Sequence, residues 1–264
     1  MSIPPRPASL RLADPSAPAH ERLYRMLRQQ IMHGELAPGL SMTLRGLAAQ
    51  YDMSMTPARE AVRRLAAEGA LTISSSGRVS TPELSPERIE ELAAIRALIE
   101  PEMASRALPR VHFALIDRLT AINALNQEAV LNHDAVAYVR SNLEFHRTLY
   151  LRAQTPAMLA ICETVWLQLG PTMRALYDKL RRRDVPQHHR LILAALRAGV
   201  AFDDEAGLGG PLGPRERGCV SLRVPLGAER RAQAGEDDLR LGIAEARVEL
   251  DDADAAGGHG QAGI

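Results

Sequence analysis

The sequence predicts a mainly α-helical chain: a winged helix-turn-helix in its first third, an all-helical bundle in its middle, and an atypical, disordered C-terminal tail. Three observations predict this. Residues 18–82 hold three amphipathic segments followed by two short strand-like runs, and residues 83–199 repeat apolar residues at helical spacing with no alternating strand pattern between them. The glycines then change density, with six up to Ala198 and thirteen from Gly199 to Ile264.

Each element has a local reason. The opening run MSIPPRPASLRLADPSAP is rich in proline and serine and lacks a signal-peptide apolar segment, so residues 1–17 read as a flexible arm. His20 to His33 carries Leu23, Met26, Leu27 and Ile31 on one face and stops at Gly34. Thr43 to Gln50 buries Leu44, Leu47 and Ala48 and offers Arg45, while Tyr51 to Met53 has room only for a turn. From Pro57 onward Ala58, Ala61, Val62, Leu65 and Ala66 form one apolar stripe, which leaves Arg59, Arg63 and Arg64 outside it. Thr56 is the expected cap of that helix and Pro57 its first residue, where no amide donor is needed. Leu71–Ile73 and Arg78–Thr81 flank a polar tip and read as a hairpin. Pro82 to Pro86 forms a linker, and Ser85-Pro86-Glu87 signals the next helix start. Beyond it, Ile89, Leu92, Ala93, Arg96 and Ile99 repeat at helical spacing, and helices are expected over Val111–Gln127, Asp134–Ala153, Pro156–Leu180 and Gln187–Ala198.

Composition narrows the function. A chain of 264 residues has core enough for two domains. No apolar run reaches the length of a membrane span, and Cys162 and Cys219 are too few and too distant for a disulfide framework or a zinc finger. These features point to a reduced, cytoplasmic protein with no membrane partner. The chain is neutral overall, yet residues 1–82 hold ten arginines against six acids, a net charge of +4 that suits a phosphate backbone. Neither a nucleophile elbow, a phosphate loop nor zincin spacing occurs, so an enzyme is not expected.

The run GELAPGLSMTLRGLAAQYDMSMTPAREAVRRLAAEGAL, Gly34 to Leu71, resembles the DNA-binding domain of the GntR family of bacterial transcriptional regulators. Its Gly-x-Leu-x-Pro-Gly lead-in, Thr-Pro-x-Arg-Glu-Ala segment and Arg-Leu-x-x-Glu-Gly close carry the likeness. The resemblance implies that Arg45, Ser54, Thr56 and Arg59 contact double-stranded operator DNA, with Gly77 and Arg78 in a wing near the minor groove. One position departs: the family usually has arginine after the serine, and this chain has Met55. Methionine can touch a thymine methyl but cannot make a forked bond to guanine.

The second half resembles the FCD effector domain found in one large GntR subfamily, through Ile95-Arg96-x-x-Ile99-Glu100-Pro101 and Asn142-Leu143-Glu144-Phe145-His146-Arg147-x-Leu149. That resemblance implies a homodimer that responds to a small organic-acid effector, usually by releasing DNA as a repressor does. It also implies a divalent metal such as zinc, held in the family by an Asp-x-x-x-His pair and two later histidines. Here the pair is Asn142 and His146, His189 matches the second histidine, and only His259 lies beyond. Arg96 is the candidate effector residue, since a guanidinium can grip a carboxylate through two parallel bonds; the alternative is a structural ion pair with Glu100.

The tail, residues 200–264, matches neither half. Residues 201–264 carry thirteen acids against seven arginines, the imbalance of solvated chain. Lys179 is the only lysine, a mark of GC-rich coding DNA in which shifted frames stay open, so a reading-frame change near Val200 is the expectation, with a genuine extension as the alternative. Two further readings stay open at this point: a DNA-binding remnant with a non-functional sensor, and a carboxylate- or metal-binding enzyme.

Overall fold

The structure, a computed structural model, describes residues 16–180 and 188–205. Almost all of the predicted flexible arm, and the tail beyond Glu205 with His259, lie outside the described residues, and so does any test of the frame change.

The reading domain begins with α1 (Ala19–Met32), which buries Leu23, Met26, Leu27 and Ile31 along one face. It ends where Gly34 adopts φ +69°, a conformation that favours glycine. A short strand β1 (Ser41–Thr43) leads straight into α2 (Leu44–Gln50), whose cap is Thr43, its side chain accepting from the Gly46 N–H at 3.0 Å. A tight turn with Asp52 at φ +52° joins α2 to α3 (Met55–Ala67), which buries Ala58, Ala61, Val62 and Leu65. Strands β2 (Thr72–Ile73) and β3 (Arg78–Ser80) make the wing.

Two expectations need correction here. The N-cap of α3 is Ser54, not Thr56, so Pro57 sits in the third helical position. All the amides of a first turn lack intrahelical partners, so a proline there forfeits no hydrogen bond and does not fix the start to one residue. The wing is also not a lone hairpin: β1 joins it in the antiparallel order β1-β3-β2, with Met42 opposite Val79 and both buried. Three residues are too few to show an alternating period, which is why β1 left no sequence signal.

The bundle follows. Helix α4 (Pro86–Ala107) starts as expected, with Ser85 accepting from the Arg88 N–H. Then come α5 (Phe113–Leu131), α6 (Ala135–Tyr150), α7 (Pro156–Leu180) and α8 (His188–Glu205). Helix α8 runs past the predicted end at Ala198, because the backbone stays helical after the apolar period has stopped. The core does not break at the linker: buried side chains run continuously from Leu23, Leu47 and Leu65 in the reading domain to Phe145, Trp166 and Leu196 in the bundle.

Candidate functional site

The reading face is built by the tight turn between α2 and α3, which leaves the first turn of α3 projecting. Ser54, Met55, Thr56 and Arg59 are all exposed there, and Arg45 of α2 is exposed beside them. At the wing, the Gly77 N–H donates to the Ser74 carbonyl and the Arg78 N–H to the Ser74 hydroxyl, so the tip folds on itself and presents Arg78 outward. Gly77 has φ +76° and a Cβ there would meet nothing within 4 Å, so backbone conformation and not crowding requires glycine.

Charge pairing separates the arginines into two groups. Arg64 lies over the Tyr24 ring at 3.6 Å and pairs with Glu21 at 2.8 Å, while Arg28 pairs with Glu68 at 3.5 Å. These arginines join α1 to α3. Arg45, Arg59, Arg63 and Arg78 make no ion pair among the described residues, and all four are exposed.

The bundle interior holds the second cluster. Arg96 Nε donates to Glu100 Oε1 at 2.6 Å one turn along α4, both side chains largely enclosed. Glu100 also accepts from Trp166 Nε1 at 3.0 Å and, through its other oxygen, from the Tyr150 hydroxyl at 3.0 Å. Despite burial, the Arg96 guanidinium beside it and the Trp166 N–H hold the Glu100 carboxyl down at about 2. Tyr150 reaches His146 Nδ1 at 3.3 Å, and the His146 ring stands 5.2 Å from that of His189, which stacks on Phe145 at 3.9 Å. His189 Nδ1 is 3.2 Å from Asn123 Oδ1. Desolvation pushes His146 down to about 4 and His189 to about 3, so both imidazoles are neutral at pH 7.

In this arrangement Arg96 is engaged by Glu100, the ion pair that one of the two expectations for it names. The cluster also tests the metal. Asn142 and His146 lie one turn apart on α6, and His189 is brought against His146, so the three candidates share a region. Among the described residues, however, no group of three histidine, cysteine or acidic side chains could hold an ion. Two imidazoles and a neutral amide do not fit a resident divalent metal, which needs a further charged or imidazole donor. Tyr150, Trp166 and Asn123 escaped the sequence reading. Tyr150 follows His146 at i+4, the one signal that could have found it; Trp166 and Asn123 meet the cluster only through tertiary packing.

Helix α7 links the two regions. On one side Trp166 touches Glu100; two residues on, Gln168 Nε2 donates to the carbonyl of Glu68, the C-cap residue of α3, at 3.0 Å. Gly170 lies so close to the end of α1 that a Cβ would stand 2.2 Å from the Ile31 carbonyl oxygen. Arg174 closes the seam, donating to the carbonyls of Gly34 and Glu35 at 3.1 Å each.

Comparison with known proteins agrees with this division. The profile described as bacterial regulatory proteins, gntR family, matches residues 19–79, and the FCD domain profile matches residues 91–201. The chain is similar to the HTH-type transcriptional regulator McbR of Escherichia coli (strain K12), 28% identical over 175 residues covering 65% of this chain and 79% of McbR. It is also similar to the gluconate operon transcriptional repressor of Bacillus subtilis (strain 168), 26% identical over 149 residues covering 56% of this chain and 59% of that protein. Among solved structures, E. coli McbR/YncC superposes with a TM-score of 0.64 at 26% identity, covering 69% of this chain and 88% of that one. A GntR regulator from Rhodococcus sp. RHA1 shares the fold with a TM-score of 0.62 at 18% identity, covering 86% and 98% of the two chains.

Proposed function

The chain belongs to the GntR family of bacterial regulatory proteins, with an FCD domain as its second half, which makes it a DNA-binding transcriptional regulator and not an enzyme; we propose that it represses a two-fold operator as a homodimer and releases it on binding a small organic acid. The observation that carries the DNA half is the charge segregation. Arg45, Arg59, Arg63 and Arg78 lie exposed without carboxylate partners among the described residues, and backbone phosphates would supply the missing counter-charge. In this reading Ser54, Met55, Thr56 and Arg59 face base edges in the major groove, and Gly77 with Arg78 follows the minor groove. One recognition helix spans only a few base pairs, so useful selectivity calls for two copies at fixed spacing.

The effector half rests on Arg96. An incoming carboxylate would take over the bond that Glu100 makes now, since both compete for one guanidinium. Glu100 would then loosen from Trp166, and α7 is the helix tied to the C-cap of α3. Such a ligand shifts DNA binding only as far as it prefers one arrangement over the other. No step passes through a metal.

A footprint on the gene's own upstream DNA, repeated with a panel of organic acids and with chelator, tests this. The expected result is a protected two-fold site that one acid abolishes and chelator leaves alone. Absence of protection even in dilute buffer defeats the regulator's proposed operator. Protection that no acid alters favours the remnant reading, for which the observation is that Glu100 already engages Arg96.

A further inference from the structure

The reader and the bundle share one carboxylate. Glu163 of α7 is mostly enclosed, and its two oxygens face cations from different halves of the chain. Its Oε1 accepts from Arg147 Nε of α6 at 2.9 Å, while its Oε2 stands 3.8 Å from Arg28 Nη2 of α1. Arg28 turns its Nε to Glu68 Oε2 at 3.5 Å, and Glu68, the C-cap residue of α3, also accepts from the Tyr24 hydroxyl at 2.7 Å. Opposite charges therefore alternate without a break from α6 through α7 and α1 to the end of α3. A guanidinium can serve two carboxylates because its nitrogens are fixed in one plane and point different ways. Its direction is then set by both anions, and Glu163 is the one that the bundle contributes.

We propose that Glu163 is a positioning residue for DNA binding, acting through Arg28 on the end of α3 and not by contact with DNA. Helix α3 has 13 residues, so its first turn lies roughly 20 Å from the cap that Arg28 holds. At that reach a tilt of about 3° displaces the first turn by about 1 Å, on the scale that makes or breaks a hydrogen bond to a base edge. The inference rests on the reading of α3 as the DNA-contacting helix. It goes beyond the tie through Gln168, which grips only the Glu68 carbonyl and involves no charge from α6. Long-range electrostatics works in the opposite direction. Deleting a carboxylate removes repulsion from phosphates and on that ground strengthens DNA binding, whereas loss of a positioning carboxylate weakens it, so the sign of the effect separates the two.

Fluorescence anisotropy of the full chain on a labelled duplex from the gene's upstream DNA tests it. Glu102→Gln removes the same charge from an exposed ion pair within α4 and sets the electrostatic baseline, with affinity unchanged or slightly raised. Glu163→Gln, nearly the same shape, should weaken binding about threefold, the scale of a partly exposed ion pair. Arg28→Lys keeps the net charge but offers one compact ammonium in place of a fork, and should weaken binding to the same degree. Adding Glu163→Gln to Arg28→Lys should then cost nothing more, because both substitutions break one link. Circular dichroism shows whether each variant is folded, and Glu163→Gln decides alone if Arg28→Lys is not. The proposal is overturned if Glu163→Gln binds as tightly as Glu102→Gln, if folded Arg28→Lys keeps full affinity, or if the two losses multiply in the double variant. A wild-type chain that ignores the duplex defeats the reading of α3 as well, and is told apart because it shows before any variant is compared.

Discussion

Met55 occupies the first position of α3 and is 39% exposed. Under the proposed function, Met55 and Arg59 one turn on would offer a base edge two side chains of opposite character, one apolar and one cationic. Arg59→Ala should weaken operator binding by about 1–3 kcal/mol if it reads a base edge, measured by fluorescence anisotropy on the footprinted fragment; unchanged affinity removes it from the interface. A second residue-scale prediction concerns acid. His33 is pushed down to about 4 by burial, as is His146, and His189 to about 3. In the unfolded chain these imidazoles take up protons near pH 6.5. Between that value and the folded ones the unfolded state holds more protons, so stability present at neutral pH is lost as pH falls through the window. The melting temperature should drop from pH 7.5 to pH 5, and a flat or rising profile contradicts the burial of these rings. The exposure of Arg59 and Arg63 was legible, because both fall outside the apolar stripe of an amphipathic helix. That Arg64 belongs to the α1 contact and Arg59 to the free face was not legible, because it depends on where Glu21 and Tyr24 come to rest.

At the scale of elements, α7 is the organising helix. It carries Trp166, Gln168, Gly170 and Arg174 along its middle, and these touch the interior carboxylate, the end of the recognition helix and the end of α1 in turn. Gly170→Ala separates two opposing effects: helix propensity alone would favour alanine by about 1 kcal/mol. The added Cβ would instead meet the Ile31 and Met32 carbonyl oxygens at 2.2 and 2.6 Å, backbone atoms that cannot swing away. Overpacking of that kind costs about 1–3 kcal/mol, so net destabilisation is expected in urea unfolding, and a more stable variant would show that the seam is looser than described. The sequence announced α7 at full length, Pro156 to Leu180, through its apolar period. It could not announce the seam, because a glycine inside a helix looks like a weakness until the neighbour that needs its missing side chain is known. The strand β1 was hidden for a simpler reason, its three-residue length.

For the whole molecule, the linker at Pro82 to Pro86 marks a boundary in sequence that the packing does not respect. One buried cluster spans both halves, and the profile matches at 19–79 and 91–201 sit on either side of a shared core. Unfolding should therefore be a single cooperative event across the described residues: far-UV circular dichroism, which sees every helix, and Trp166 emission, which sees only the bundle, should trace one coincident transition. An early dichroism phase without a fluorescence change would mean that the reading domain melts alone. The two-part architecture was readable from periodicity and from glycine density. The unity of the core was not, since it depends on long-range contacts between α1 and α7 that no local pattern encodes.

The close approach of Gly170 to the end of α1 also bears on how such chains recombine. A chimera that grafts this DNA reader onto a foreign sensor would inherit only half of a fitted joint. Unless the new partner brings its own glycine and carbonyl-binding arginine at the matching turns, the transplanted head would be carried without being steered.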